Sequence, residues 1–241
     1  MPSNAMLNVK LHRKALFNIL RDICRSPTGA SLGFKGGTML YFFHNLDRFS
    51  VDLDFDLLEG SDEKKVQDGI REILRSFGNI KDEYLKENTI FFLLDYGAGE
   101  QNIKVEISRR IFTENRYEVR NFYGMSIRVL SLPDSFSHKL VAATERKSFA
   151  NRDFYDIYFL LKNNVSFNEA IIRLRTGKSG LEYFAFLRGF IEKHLTQKTV
   201  LANMGELLDV KQKIWVKEHL KEELLALLDF TIAEQGAPRN L

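Results

Sequence analysis

Apolar residues open the chain at helical spacing: Leu7, Leu11, Ala15, Leu16, Ile19, Leu20 and Ile23 share one face between Met6 and Arg25. Ser26-Pro27-Thr28-Gly29 then stops the helix. Residues 30–34 read as a short strand, Gly36-Gly37 as a tight turn, and Thr38 as the cap of a helix running to about Asn45. At Val51 the period changes to two. Asp52, Asp54 and Asp56 alternate with Val51, Leu53, Phe55 and Leu57, which predicts a strand over 52–58 with one acidic and one apolar face. Ser61 or Asp62 caps a further helix to Phe77, with Val66, Ile70, Ile73 and Leu74 inward.

Four strands are predicted next, at 80–85, 89–95, 102–108 and 117–130, the last broken at Gly124. Thr89-Ile90-Phe91-Phe92-Leu93-Leu94 is apolar on both faces and belongs inside a sheet. Ile103-Lys104-Val105-Glu106-Ile107 alternates, leaving Glu106 as the isolated acid of its strand. Beyond Pro133 the pattern is helical: 133–147, 152–162, 166–175, 180–194, 198–208 and 211–233, with Ser166-x-x-Glu169 matching a capping box. The expected fold is α+β, a mixed-sheet core over 6–131 followed by an all-helical subdomain over 132–241, packed together without a flexible linker.

Composition narrows the class. At 241 residues, 44% hydrophobic and 28% charged, the chain can bury a core, and no apolar run is long enough to span a bilayer. One cysteine, Cys24, cannot form an internal disulfide, and with no secretory leader the expected location is cytoplasmic. A net charge of +3 permits a nucleotide or RNA partner without requiring one. Met1-Pro2-Ser3-Asn4-Ala5 reads as a remnant of expression ahead of Met6.

The acidic strand carries the chemistry. Residues two apart on a strand share a face at about 3.3 Å rise per residue, so Asp52 and Asp54 are placed to converge on a cation. Asp is a poor strand former, and three of them are a poor way to solubilise a strand. Mg²⁺ takes oxygen ligands, commonly one or two carboxylates plus substrate phosphates. Two glycines ahead of a helix let backbone N–H groups approach phosphate, and Thr38 offers a hydroxyl. Glu106 is the natural third carboxylate of a two-metal site. Ser50 shares the parity of Asp52, whereas Asp56 lies farther along, outside the set of ligands. The default for Arg152 and Asp156, spaced i, i+4, is a surface ion pair. His44 and His138 lack a partner at metal-ligand spacing, and Cys24 lacks an activating neighbour.

These residues resemble a family. Gly36-Gly37-Thr38 followed by Arg48-Phe49-Ser50-x-Asp52-Leu53-Asp54-Phe55 is similar to the nucleotidyltransferase-fold toxins of the AbiEii/AbiGii type, within the DNA polymerase beta-like nucleotidyltransferase superfamily. Lys104-Val105-Glu106-Ile107-Ser108 resembles the third-carboxylate strand. His138-Lys139-Leu140-x-Ala142, Glu145-Arg146 and Arg152-Asp153-x-x-Asp156 resemble the C-terminal motifs, so the likeness covers about residues 30–162. Glu106 stands where the family commonly has Asp. The resemblance implies Asp52 and Asp54 as ligands to two Mg²⁺ ions, and Glu106 as the third ligand or as the base that takes the acceptor proton. It implies Gly36, Gly37, Thr38 and Ser50 as nucleotide contacts, and Lys139 as a triphosphate contact. Arg48, Arg146, Asp153 and Asp156 are secondary candidates. The implied activity is NTP-dependent transfer of a nucleoside monophosphate to an acceptor hydroxyl, with a tRNA 3′ end among the acceptors allowed. The implied setting is a toxin–antitoxin or abortive-infection pair, with an antitoxin as partner and no membrane. Two rivals stay open: a non-catalytic nucleotide- or RNA-binding module of this fold, and a nucleotidyltransferase acting on a small molecule such as an aminoglycoside.

Overall fold

The computed structural model describes residues 8–97, 102–146 and 150–236. The chain divides into two compact units, Met1–Ser131 and Leu132–Leu241.

The first unit is built on a seven-stranded mixed sheet: β1 (Leu32–Lys35), β2 (Leu53–Leu57), β3 (Asn79–Lys86), β4 (Thr89–Asp95), β5 (Ile103–Ser108), β6 (Tyr117–Phe122) and β7 (Met125–Leu130). They lie in the order β3-β4-β5-β2-β1-β7-β6. The acidic strand β2 sits at the centre, antiparallel to β1 and parallel to β5. Its apolar face, Leu53 and Phe55, packs with Phe34, Phe92, Val105 and Ile107, all at most 1% exposed. The helices are α1 (Val9–Arg25), α2 (Gly36–Phe43) and α3 (Glu63–Arg75). Buried Leu16, Ile19, Leu20 and Ile23 of α1 and Val66, Ile70 and Leu74 of α3 follow the predicted stripes. Met6 and Leu7, assigned to the first helix from sequence, lie outside the described residues, as does Lys147.

Three local expectations change. Helix α2 begins at Gly36 rather than after Thr38, with Lys35 as its N-cap and no side-chain cap bond. The Thr38 hydroxyl is turned across to the backbone carbonyl of Asp52. Ala30 and Ser31 belong to a 3-10 turn over Pro27–Ser31 rather than to β1. Strand β4 is flanked by strands on both sides, but only Ile90, Phe92 and Leu94 are fully buried, and Phe91 and Leu93 stay half-buried on the other face. The expected break at Gly124 is a hairpin turn, with Tyr123 at φ 50° and Gly124 at φ 77°.

The second unit contains α4 (Leu132–Glu145), α5 (Asn151–Lys162), α6 (Glu169–Thr176), α7 (Gly180–His194) and α8 (Val210–Gly236). Its core includes Phe136, Leu140, Ile157, Phe184, Leu187, Ile191 and Leu220. Residues 198–208 are not the expected α-helix. Short turns run through them to a 3-10 helix over Gly205–Leu207, because Asn203 at φ 59° interrupts any helical run. Asn168, not Ser166, caps α6 by accepting from the Ala170 N–H at 3.1 Å. Among the described residues, no helix is long and apolar enough to cross a membrane.

Candidate active site

The chain leaves β1 at Lys35 and turns into α2 through Gly36-Gly37. Gly36 adopts φ 81°, and a Cβ there would stand 2.1 Å from Asp54 Oδ2. The Asp54 carboxylate therefore lies directly against the glycine backbone at the start of α2. A Cβ on Gly37 would stand 2.8 Å from Ser50 Oγ and 3.1 Å from the Arg48 guanidinium. Absence of side chains at both positions is what lets the turn close on these three polar groups.

The loop from Arg48 to Asp52 is held from several sides. Thr38, fully buried, bonds to Ser50 Oγ at 3.0 Å and to the Asp52 carbonyl. Its hydroxyl is thus engaged inside the protein, fastening α2 to the residue before β2. Arg48, 1% exposed, donates from Nη1 to the Phe49 carbonyl at 2.9 Å. His12 is fully buried, with Nε2 2.9 Å from the Val51 carbonyl and Nδ1 2.7 Å from the Tyr96 hydroxyl. A carbonyl can only accept, so Nε2 carries a proton and donates to it. That bond pins the backbone immediately ahead of Asp52.

Strand β2 begins at Leu53, so Asp52 enters from the preceding loop rather than from the ladder itself. Register across the sheet sets Asp54 beside Glu106 on β5 and Lys35 on β1, and Glu106 in turn beside Phe91 on β4. Directly paired residues share a face, so one row reads Lys35, Asp54, Glu106, Phe91, Tyr84. Asp54 is half-buried and Glu106 exposed. Phe91 and Tyr84 stack at 4.6 Å with planes 9° apart. Partial burial, then the Glu106 and Asp82 carboxylates, push the Tyr84 hydroxyl above its ordinary pKa. Asp56, 2% exposed, is taken up by Lys35 Nζ at 2.5 Å and accepts from the Tyr117 hydroxyl at 2.9 Å.

Among the described residues, no group of three or more His, Cys, Asp and Glu is arranged to hold a metal ion. Asp52, Asp54 and Glu106 are nonetheless all hard oxygen donors. Asp54 and Glu106 are adjacent on one face, which fits a Mg²⁺ that takes one or two carboxylates and completes its shell with phosphate and water. Burial raises the Cys24 thiol to about 12, removing it as a nucleophile.

In the second unit Lys139, on α4, places Nζ 3.1 Å from Asp153 Oδ1 and 2.8 Å from Asp156 Oδ2, both on α5. Both aspartates are fully buried. Arg146 Nε lies 3.2 Å from the other Asp153 oxygen. Asp156 therefore lies in the interior beside Lys139 rather than at the surface. His138 is half-buried, its Nδ1 3.0 Å from Arg175 Nη1.

A family model for the nucleotidyl transferase AbiEii toxin of type IV toxin–antitoxin systems matches residues 18–232. The chain belongs to the AbiEii family. This AbiEii member is accordingly a nucleotidyltransferase toxin, with an NTP substrate and an antitoxin counterpart implied by the family. Two solved structures share its fold. One is a candidate nucleotidyltransferase from H. pylori, at TM-score 0.60 and 20% identity, covering 94% of this chain and 95% of that one. The other is JHP933 from Helicobacter pylori, at TM-score 0.58 and 20% identity, covering 94% of each chain. No curated protein matches the sequence.

Lys35, Tyr117 and His12 were not among the residues singled out from sequence. Each reaches the acidic segment from a distant stretch: Lys35 and Tyr117 meet at Asp56, and His12 bonds beside Asp52. No local periodicity around these residues signals the contacts they make.

Proposed function

We propose that this AbiEii-family enzyme transfers a nucleoside monophosphate from an NTP to an acceptor hydroxyl on RNA, a tRNA 3′ end being the acceptor class to test first. The observation that carries the reading is the glycine turn closing on Asp54 while Glu106 stands beside Asp54 on the next strand. Backbone N–H groups of Gly36 and Gly37, at the positive end of α2, receive the triphosphate. Ser50 lies against that turn, and Thr38 and His12 keep the loop in place for it. Buried Arg48 beside Gly37 adds positive charge behind the phosphates.

Asp52, Asp54 and Glu106 would hold Mg²⁺, which supplies neutralisation of the leaving pyrophosphate and acidifies the attacking hydroxyl. The acceptor oxygen forms its bond to the α-phosphorus as the bond to the bridging oxygen of the β-phosphate breaks. Pyrophosphate leaves, and the acceptor proton passes to Glu106 where that carboxylate is the base rather than the third ligand. Lys139 is proposed as a triphosphate contact on the family resemblance. Asp153 and Asp156 fix its ammonium, and Arg146 balances the Asp153 carboxylate.

The test mixes the purified protein with each radiolabelled NTP, Mg²⁺ and total tRNA. Label should enter RNA from at least one NTP and vanish when Asp52 and Asp54 are both changed to Ala. Transfer surviving that double change would overturn the assignment of the site.

A further inference from the structure

On α1, Lys10, Arg13, Lys14 and Phe17 follow the i, i+3, i+4, i+7 spacing and so lie along one helical stripe. They form one wall of a recess of about 600 Å³ whose other walls are Tyr41, Phe42 and Asn45 at the end of α2 and Phe122 and Tyr123 at the β6–β7 turn. Among the described residues, no acidic side chain lines it. Among the described residues, none of the three cations has a carboxylate partner, whereas Arg71 and Arg109 of the same unit are both paired. The Arg13 guanidinium stands 5.7 Å from the centre of the Tyr41 ring.

Three unpaired cations set among aromatic rings need an occupant that is both anionic and flat. Tyr123 is 73% exposed, and its backbone in the left-handed region holds it at the tip of the turn. Its ring meets Phe17 edge-on at 5.2 Å and Phe122 at 4.8 Å, so it is braced from beneath. Aromatic faces beside a basic wall are the combination that grips single-stranded nucleic acid, phosphates on the cations and bases on the rings. An acidic polypeptide would satisfy the cations and leave the rings unused.

The recess also adjoins the catalytic loop. Tyr41 meets Phe49 edge-on at 5.5 Å, and Phe49 lies between Arg48 and Ser50. Helix α2 itself runs from the glycine turn to this wall, a distance of about 10–12 Å at 1.5 Å per residue.

We propose that this recess is a docking site for a single-stranded stretch of the RNA acceptor, with Lys10, Arg13 and Lys14 on its phosphates and Tyr123 and Tyr41 against its bases. The proposal rests on the reading that the acceptor is RNA. It is tested by binding alone, without NTP or Mg²⁺, using the anisotropy of a fluorescein-labelled RNA of about twelve nucleotides.

The full-length protein should bind this probe. Replacing Lys10, Arg13 and Lys14 together by Gln should weaken binding at least about tenfold and flatten the log affinity–log salt slope by about 2, at roughly 0.7 per phosphate contact on a single strand. Tyr123→Ala should weaken binding about tenfold with the slope unchanged, and Tyr123→Phe should restore it. The Asp52→Ala, Asp54→Ala double variant should bind RNA as wild type does while losing transfer, so loss of the enzymatic reading and loss of this one are separable. Absence of binding by wild type, or binding by the triple variant within twofold of wild type, overturns the proposal. Competition by polyglutamate that is indifferent to Tyr123→Ala would also overturn it, in favour of an acidic protein partner.

Discussion

At Gly36 two independent requirements meet: a left-handed backbone and no room for a methyl group beside Asp54. Alanine there would carry about 1–3 kcal/mol of backbone strain and displace the carboxylate it overlaps. Gly36→Ala is expected to lower the thermal midpoint by several degrees and to cut transfer by about a hundredfold or more, the usual consequence of moving a reacting group by an ångström. A scanning melt and the tRNA-labelling assay read the two effects separately. Asp54 and Glu106 were legible in the sequence because strict alternation marks a strand's polar face. Lys35, Tyr117 and His12 were not, because their roles depend on which distant segments become neighbours, and local periodicity carries no information about register. Thr38 shows the converse. Its position after two glycines suggested a phosphate contact or a cap, and the packing of α2 on the loop before β2 engaged its hydroxyl elsewhere.

Elements were easiest to read where a stripe or an alternation ran for several turns, as in α1, α3, β5 and α7. Caps were harder. Helix α7 carries the true capping box: Ser179 accepts from the Glu182 N–H at 3.3 Å, and Glu182 accepts from the Ser179 N–H at 2.8 Å. Ser166 and Glu169 match the same pattern, but Asn168 competes and wins, because an Asn at the N-cap is as good an acceptor as Ser. Ser179→Ala should cost about 1 kcal/mol in a urea titration at neutral pH. Hydrogen bonds from the Ser179 backbone and hydroxyl hold the Glu182 carboxyl below its ordinary pKa. A depressed folded-state pKa means the contribution is complete above the unfolded value, near 4.3, and is lost as pH falls through the folded one. Glu182→Gln should therefore lower the urea midpoint at pH 7 and make little difference at pH 3. Equal effects at both pH values would show that the charge is irrelevant.

For the whole molecule, the α+β class with a helical C-terminal run followed from the change of texture near Pro133. The strand order did not, since the β3–β4 hairpin continues the sheet beyond β5 and leaves β2 beside a strand about fifty residues later. Ligands that bind only the folded chain stabilise all of it by mass action. At about a hundred times its dissociation constant, an NTP with Mg²⁺ should add about 2.7 kcal/mol to wild type, seen as a raised melting midpoint. The Asp52→Ala, Asp54→Ala variant should lose most of that shift, and EDTA should remove it from wild type. The crossover from β2 to β5 has one more implication, for a ribosome making this toxin. Until Ser108 has emerged, Asp54 has no Glu106 at its side, and the parallel pairing of β1 with β7 waits still longer. Long-range parallel pairing is slow to form, so the proposed pair of carboxylates comes together only late in synthesis. A product that ends before Glu106 lacks one of the three proposed carboxylates and is expected to transfer no label in the tRNA assay.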